Sequence, residues 1–400
     1  MKKLNIFKLF SVLVIASVLF AACATPTTEA PKPSAAPKPT DAPKATDAPK
    51  ATEAPKATEA PKPYPAYYPA DYDKIIEASK KEDKGLVVYS IMSETNWAAV
   101  SKGFTAKYPW IKLQSLDLGS YEVFERYYSE SGSKARTADI IITSAPDAWQ
   151  EFIDKGELAA YKSAEDDKVP AWSKLAPSVY TVSSDPMIMI SNKAQVKDAP
   201  KTMKDLAAYI EKNPTTKVVT YDAEKNATGF AIYWFWLKKI GEAGWKLLET
   251  IGKAKPIGQT SAGNMVNSTL AGETQLGFFV SAISVLPKYP QAEPVMAWSM
   301  IGDGTPILTR GMGITKNAAS PNSAKLLMDY ILSQDGQLGF AEGGLTAYRP
   351  DVADKAKLHL TKLAAQIGEQ NLIPFFFDPD LKDKAKKDAF IARWKKTFGR

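Results

Sequence analysis

The segment LVVYS at residues 86–90 decides the fold class, because it opens a series of short apolar runs that alternate with helical patterns. The strand-like runs, rich in branched residues, are 86–89, 111–116 and 140–143. The helical patterns that separate them are 94–108 and 121–131. This order predicts a β-α-β-α-β unit with a largely parallel sheet.

A second α/β region begins near residue 187. It contains a strand at 217–221 and then an aromatic helix with Tyr233 and Trp236, whose rings we expect to lie in a core. Further extended runs at 295–298 and 306–314 indicate that the chain returns to the first region. About 330 residues follow residue 66, which is enough for two lobes with a core each.

Polar side chains follow several of these strands, at the edge where open α/β sheets bind their ligands. Helix N-termini at such turns also favour anions, because their backbone amides are free. The sequence therefore predicts ligand contacts from Ser90, Ser93, Glu94, Ser144, Asp222, Asn226, Thr228, Ser281 and Tyr348. A competing interpretation is that the serines are only helix caps.

The N-terminal region predicts export and anchoring. Residues 1–22 have the lysines and the apolar run of a signal peptide, and this run is too short to span a bilayer. Residues 19–23 resemble a lipobox, which makes Cys23 the expected lipidation site. Residues 23–66 are rich in Pro, Ala, Lys and Thr, with a six-residue repeat, and predict a disordered stalk.

Composition argues against several function classes. The formal net charge of +7 falls to about +3 once the signal peptide and stalk are set aside, and no basic cluster typical of nucleic-acid binding remains outside the lysine-rich C-terminus. The one histidine, His359, lies in a lysine-rich segment and is expected at the surface, so we predict no metal site and no cofactor. Neither a P-loop nor a GxSxG motif occurs.

Several short motifs resemble the family 1 extracellular solute-binding proteins of ABC importers, particularly the ferric-iron-binding periplasmic group. The resemblance spans residues 85–351 and is carried by LVVYS at 86–90, FTAKYP at 104–109, TADII at 137–141, GMGI at 311–314 and GGL at 343–345. It implies a type II periplasmic-binding-protein fold with two hinge crossings, near 182–190 and 297–309. The resulting boundaries are 67–186 for lobe 1, 187–297 for lobe 2, and 298–400 for the return to lobe 1 and the C-terminal helices.

The same resemblance informs the choice of ligand. Iron binding in that group relies on a tyrosine pair, and the matching positions here are Ala282 and Ile283. We therefore expect a small organic anion (a carboxylate, phosphonate or phosphate ester), with ferric ion, polyamines and sugars as alternatives. Tyr180, Tyr348 or Arg349 would add a stacking or charged contact.

The resemblance thus predicts a monomeric, lipid-anchored, extracytoplasmic protein that binds a small solute and delivers it to an ABC permease, with no enzymatic activity. Two other classes stay open at this point. A surface-tethered hydrolase would need an acid pair or an activated nucleophile in its cleft, and an adhesin would carry exposed apolar patches.

Overall fold

The computed structural model describes residue 62 and residues 64–400. The predicted signal peptide, the lipidation site Cys23 and most of the predicted stalk lie outside these residues. Within the described part, no helix combines the length and the apolar character needed to cross a membrane.

The described residues form eleven strands and thirteen α-helices, joined by loops and short 3-10 turns. The strands are β1 (Leu86–Ser90), β2 (Leu113–Asp117), β3 (Ile140–Thr143), β4 (Lys174–Ala176), β5 (Val179–Asn192), β6 (Val218–Tyr221), β7 (Ile257–Gln259), β8 (Leu276–Ser281), β9 (Met296–Ser299), β10 (Thr305–Ile314) and β11 (Leu372–Pro374). The helices are α1 (Asp73–Ser79), α2 (Glu94–Lys107), α3 (Glu122–Gly132), α4 (Pro146–Asp154), α5 (Met203–Lys212), α6 (Ala227–Ile240), α7 (Glu242–Gly252), α8 (Ala262–Leu270), α9 (Tyr289–Ala292), α10 (Pro321–Leu332), α11 (Gln334–Glu342), α12 (Leu360–Ala364) and α13 (Lys384–Thr397).

The sheet follows the order β2-β1-β3-β10-β5-β8-β6-β7. Strands β1, β2 and β3 are parallel, with Val88 opposite both Ser115 and Ile140, so the predicted β-α-β-α-β unit is confirmed. On the other side, β6 is parallel to β7 and β8. The two parallel groups are the sheets of lobe 1 and lobe 2, and helices cover each of them.

Strand β5 joins the lobes because it belongs to both sheets. Its first half, Tyr180 to Pro186, pairs with β10, and its second half pairs with β8 and β9. Strand β10 in turn reaches β3 in lobe 1. These two long strands are the crossings between the lobes, and Leu308 and Arg310 of β10 form the floor between them.

The C-terminal helix α13 packs in the core of lobe 2, a point that the sequence prediction left open. Trp394 is fully buried, and its ring lies 5.6 Å from that of Tyr233 in α6. The ring of Phe390 lies 5.1 Å from the ring of Trp234, measured between centroids. The aromatic face of α6 is buried as predicted, and α13 supplies the apolar surface that covers it.

Tyrosines at the start of the described chain fasten it to lobe 1. Tyr64 stacks on Tyr68 and packs edge-on against Tyr72, although the predicted stalk extends to residue 66. Tyr68 donates a hydrogen bond to Glu165 (2.6 Å), and Tyr72 donates one to Asp329 (2.7 Å). Both acids are buried, so these hydrogen bonds add to the other partners of each carboxylate and offset part of its lost hydration.

The prediction that His359 lies on the surface is wrong, because its ring is 1% exposed. Its Nδ1 accepts the Thr361 amide as an N-cap of α12, and its Nε2 lies 3.0 Å from the Arg349 carbonyl oxygen. Burial lowers the pKa of His359, which favours the neutral ring. Capping and burial thus explain this residue structurally.

Candidate functional site: a cleft between the lobes

A cleft of about 640 Å³ lies between the lobes. Lobe 1 contributes Ile91, Ser93, Thr95, Asn96, Asp117, Leu118, Gly119, Ser120 and Gly343. Lobe 2 contributes Tyr221, Asn226, Thr228, Thr260, Ser261, Ala262, Gly263, Ser281, Ile283, Ser284, Pro287 and Lys288. Leu308 and Arg310 of the crossing strand β10 complete the lining. Most of these residues follow strands or begin helices, so the cleft lies where ligands of open α/β sheets bind.

The wall formed by lobe 2 contains polar groups without partners. Ser261, at the N-cap of α8, makes no side-chain capping hydrogen bond, so its hydroxyl leaves the amides of the first turn uncapped. Ser281 ends β8, and its Oγ is buried without a hydrogen-bond partner among the described residues. Buried hydroxyls are normally paired, so this wall is equipped to donate to an acceptor in the cleft.

Arg310 lies at the floor of the cleft and is 3% exposed. The pairing of β10 with β5 is irregular between Thr309 and Gly311, and such a bulge redirects the intervening side chain. The Arg310 amide donates to Thr181 Oγ1 (2.9 Å), and its Nη1 donates to Ser183 Oγ (2.9 Å) and to the Asp185 carboxylate. Its Nε is buried without a partner in the described part of the chain.

Tyr221 brings a phenol to the same wall, at the end of β6. Burial raises the pKa of Tyr221 to about 12, while the positive charge of Arg310 and the Ala262 amide act in the opposite direction. The phenol is therefore neutral at physiological pH and can donate a hydrogen bond.

Lobe 1 presents the N-terminus of α2 to the cleft. Ser93 and Asn96 form a capping box, and Asn96 Nδ2 also donates to the Gly343 carbonyl (2.7 Å), which holds the turn against α11. Asp117 is the one acidic side chain among the described lining residues. Desolvation raises the pKa of Asp117.

Four of the nine predicted ligand residues line the cleft: Ser93, Asn226, Thr228 and Ser281. Asn226 caps α6 by accepting the Gly229 amide (2.7 Å), so its cap and cleft positions coincide. Ser144 lies just outside the cleft, where its Oγ is 2.9 Å from that of Thr228. The signals that located these residues were strand ends and helix starts.

The other four predicted contacts lie elsewhere. Ser90 is fully buried and accepts a hydrogen bond from Trp97 Nε1 (3.0 Å). Glu94 is an exposed first residue of α2 that does not line the cleft. Asp222 binds Arg400 (2.7 Å) and two amides of its own turn, and Tyr348 is buried, donating to the Thr181 carbonyl. The polar atoms of Ser90, Asp222 and Tyr348 are therefore used by the protein itself.

The additional contacts suggested for Tyr180 and Arg349 also lie in the interior. Tyr180 donates to Asp166 (2.9 Å), and Arg349 forms an ion pair with Glu165 (2.5 Å) that is almost completely buried. Neither residue lines the cleft.

Sequence reasoning missed Arg310 and the N-terminus of α8. A single arginine within an apolar strand gives no local signal of a binding site, because the direction of its side chain depends on the bulge and on Asp185 of another strand. The uncapped turn at residues 260–263 carries serine, threonine and glycine, which is the signal that could have located it.

The described residues contain no group of three His, Cys, Asp or Glu side chains arranged to hold a metal ion. Ala282 and Ile283, the positions that match the iron-binding tyrosines, form a 3-10 turn directly after Ser281. Tyr221 is the tyrosine that lines the cleft. The donor set is therefore rich in hydroxyls and amides and poor in anionic oxygens.

A family model identifies the family of the chain. The model of the bacterial extracellular solute-binding proteins matches residues 97–346. No curated protein sequence matches the chain.

Solved structures resemble the chain over about four fifths of its length. The substrate-binding protein of an ABC transporter from Agrobacterium tumefaciens is 21% identical with a TM-score of 0.71, covering 80% of this chain and 96% of that one. The periplasmic binding protein AfuA from Actinobacillus pleuropneumoniae, solved with fructose-6-phosphate, is 20% identical with a TM-score of 0.64, covering 79% and 99%. The apo ferric ion-binding protein A of Pasteurella haemolytica is 15% identical with a TM-score of 0.58, covering 79% and 96%.

The structural similarity to these proteins establishes the two-lobed type II periplasmic-binding-protein fold, and the matched family model covers more than half of the chain. The chain therefore belongs to the family of bacterial extracellular solute-binding proteins, the solute-capturing components of ABC transporters.

Proposed function

We propose that this protein captures a small organic anion in the interlobe cleft, without chemical turnover, and delivers it to an ABC permease. The anion would carry a carboxylate, phosphonate or phosphate group. In this proposal the protein acts as a monomer outside the cytoplasmic membrane, held there by a lipid on Cys23.

One observation carries the choice of an anion: the uncapped N-terminus of α8 and the unpartnered Ser281 hydroxyl line the same wall. Free amides at a helix N-terminus attract negative charge, and a buried hydroxyl without a partner is available to donate. Residues at the capped N-termini of α2 and α6 line the cleft as well, so polar groups face it from both lobes.

Binding between the lobes also accounts for delivery of the solute to the permease. A ligand that contacts both walls stabilises the closed arrangement by its difference in affinity between the closed and open states. The permease can then distinguish loaded from empty protein by its shape.

A thermal-shift screen tests this proposal. The purified protein is heated with ferric citrate, methylphosphonate, phosphate esters, carboxylates, polyamines and sugars. A ligand at about 100 times its dissociation constant adds roughly 2.7 kcal/mol to the free energy of unfolding, so the melting temperature rises. We expect the rise from an organic anion.

Two variants make the screen specific to the cleft. Ser281→Ala removes an unpartnered hydroxyl that lines the cleft, and Thr346→Val removes an unpartnered buried hydroxyl that does not. The anion-dependent rise should shrink in Ser281→Ala and persist in Thr346→Val. A rise from ferric citrate but not from citrate, or from polyamines or sugars alone, would contradict the choice of an organic anion.

A further inference from the structure

We propose that Arg310 determines the ligand class, by binding one oxyanion group of the solute through the Nε–Nη2 edge of its guanidinium. This inference rests on the proposed function and refines it, because it assigns the ligand's charged group to a particular residue.

Half of the guanidinium is already engaged. Nη1 donates to Ser183 Oγ and to Asp185, whereas Nε is buried without a partner and Nη2 donates no hydrogen bond to a described residue. An arginine has five N–H donors in a rigid plane, of which two belong to Nη1. The remaining edge, Nε with Nη2, is therefore free and belongs to a residue that lines the cleft.

The orientation of that edge is fixed by the crossing strands. Asp185 is fully buried and also accepts the Thr346 amide (2.8 Å) and the Ser183 hydroxyl (2.6 Å). The Arg310 amide is held by Thr181 Oγ1. The guanidinium cannot turn without breaking these bonds, so the fork is organised before the ligand arrives.

A fork of two parallel N–H groups matches two oxygens of one carboxylate, phosphonate or phosphate group. Asp185 offsets the charge of Arg310, so the main contribution of the fork is to orient the oxyanion group of the ligand. The amides of α8 on the adjoining wall add electrostatic attraction for that group. The site therefore selects a group with two adjacent oxyanion oxygens, and a lysine at this position would lose that selection.

A purely structural arginine would serve only to neutralise Asp185. That role needs Nη1 alone and gives no reason to bury Nε without a partner in the lining of a cleft. The two roles differ in whether the Nε–H group responds to a ligand.

Nuclear magnetic resonance of the protein labelled with ¹⁵N-arginine gives that readout, since the chain has only six arginines. The Nε–H signal of Arg310 is assigned by its loss in Arg310→Lys. If this variant does not fold, lysine variants of the other five arginines assign the signal by elimination. Inorganic phosphate, methylphosphonate and acetate are added separately at up to about 10 mM, above a weak dissociation constant of about 1 mM.

We expect at least one of these oxyanions to shift the Arg310 signal in a saturable manner, with the same midpoint as the thermal shift. Chloride at equal ionic strength should not. The signal of Arg349, a buried arginine whose Nε already donates to Asp351, is the internal control and should stay unchanged. Arg310→Lys should weaken oxyanion binding about tenfold or more while keeping the positive charge.

Other outcomes overturn the inference. If an oxyanion raises the melting temperature and the Arg310 signal does not move, the anion binds elsewhere, and only this inference fails. If only a polyamine or a sugar binds, the proposed function fails with it. An Arg310 signal unchanged by all three oxyanions means that the fork is not an anion site.

Discussion

The side-chain oxygens of Ser144 and Thr228 lie 2.9 Å apart, and the hydrogen bond between them joins lobe 1 to lobe 2. Ser144 follows β3, and Thr228 lies in the first turn of α6. Both hydroxyls are buried, so water does not compete for them. Two residues expected to contact the ligand thus contact each other, and Thr228 does so while lining the cleft.

Thr228→Val should weaken binding of the anion found in the thermal screen about fivefold. The substitution removes a hydrogen bond between the lobes that contributes about 1 kcal/mol, and it leaves Ser144 unpaired. Isothermal titration calorimetry measures the change. Thr220→Val is the matched control, because it removes a hydroxyl that bonds Tyr233 within lobe 2, and it should lower stability without changing affinity. Equal loss of affinity in both variants would contradict a role for the interlobe bond.

Asp147→Asn should increase the separation of the lobes. Asp147 of lobe 1 pairs with Lys387 of α13 at 3.3 Å, and this pair is partly buried, so its loss removes up to about 1 kcal/mol of interlobe attraction. Pulsed electron paramagnetic resonance between spin labels on α2 and α7 measures the distance. Glu224→Gln breaks a pair with Lys395 inside lobe 2 and should leave that distance unchanged. A distance that stays the same in Asp147→Asn would show that α13 does not restrain the lobes.

Gly344→Ala should reduce ligand affinity by blocking approach of the lobes. A Cβ at this position would lie 2.6 Å from Cγ of Pro287 in lobe 2, which is closer than real contacts allow. The positive φ of +88° adds a backbone cost of about 1 kcal/mol. Gly156→Ala, with φ +68° and open space around it, carries the backbone cost alone. Both variants should melt earlier, and only Gly344→Ala should bind less tightly. Addition of Pro287→Ala should restore part of that affinity.

Asp329 should make stability fall as the pH rises from about 4 to about 6. Burial raises the pKa of Asp329 to about 6, although Ser163, Tyr161 and Tyr72 donate hydrogen bonds to it. Between the pKa near 4 in the unfolded protein and the pKa of about 6 in the folded protein, the folded state binds more protons than the unfolded state. The free energy of unfolding therefore decreases by about 2–3 kcal/mol as the pH rises through this range. Urea unfolding at pH 4 and pH 7 should show this decrease relative to Asp329→Asn. A constant difference between the two proteins would contradict it.

Asp351 provides a control of opposite sign. Partial burial raises its pKa, but hydrogen bonds from Arg349 and Gln334 outweigh this effect, and the net pKa is lowered. Its contribution to stability is therefore lost as the pH falls through the folded pKa, and Asp351→Asn should not remove the decrease attributed to Asp329.

The sequence by itself determined the alternation of strands and helices and the edge of the sheets that borders the cleft. Strand β3 and helix α6 were predictable because their signals are local: a run of branched residues, an aromatic face, and a cap at Asn226. Caps lie at helix starts, and helix starts border the cleft in this fold, so Ser93 and Asn226 were placed there by interactions within three residues.

Only the tertiary structure determined which residues form the floor of the cleft and where the C-terminal helix packs. The side chain of Arg310 is directed by a bulge in strand pairing and bound by Asp185, which is 125 residues away in the chain. The Ser281 hydroxyl lacks a partner only because of the residues that folding places around it. The burial of His359 and the docking of α13 on α6 likewise depend on surfaces brought together by folding. Local patterns report interactions between neighbours in the chain, whereas these features arise from pairing between distant strands and helices.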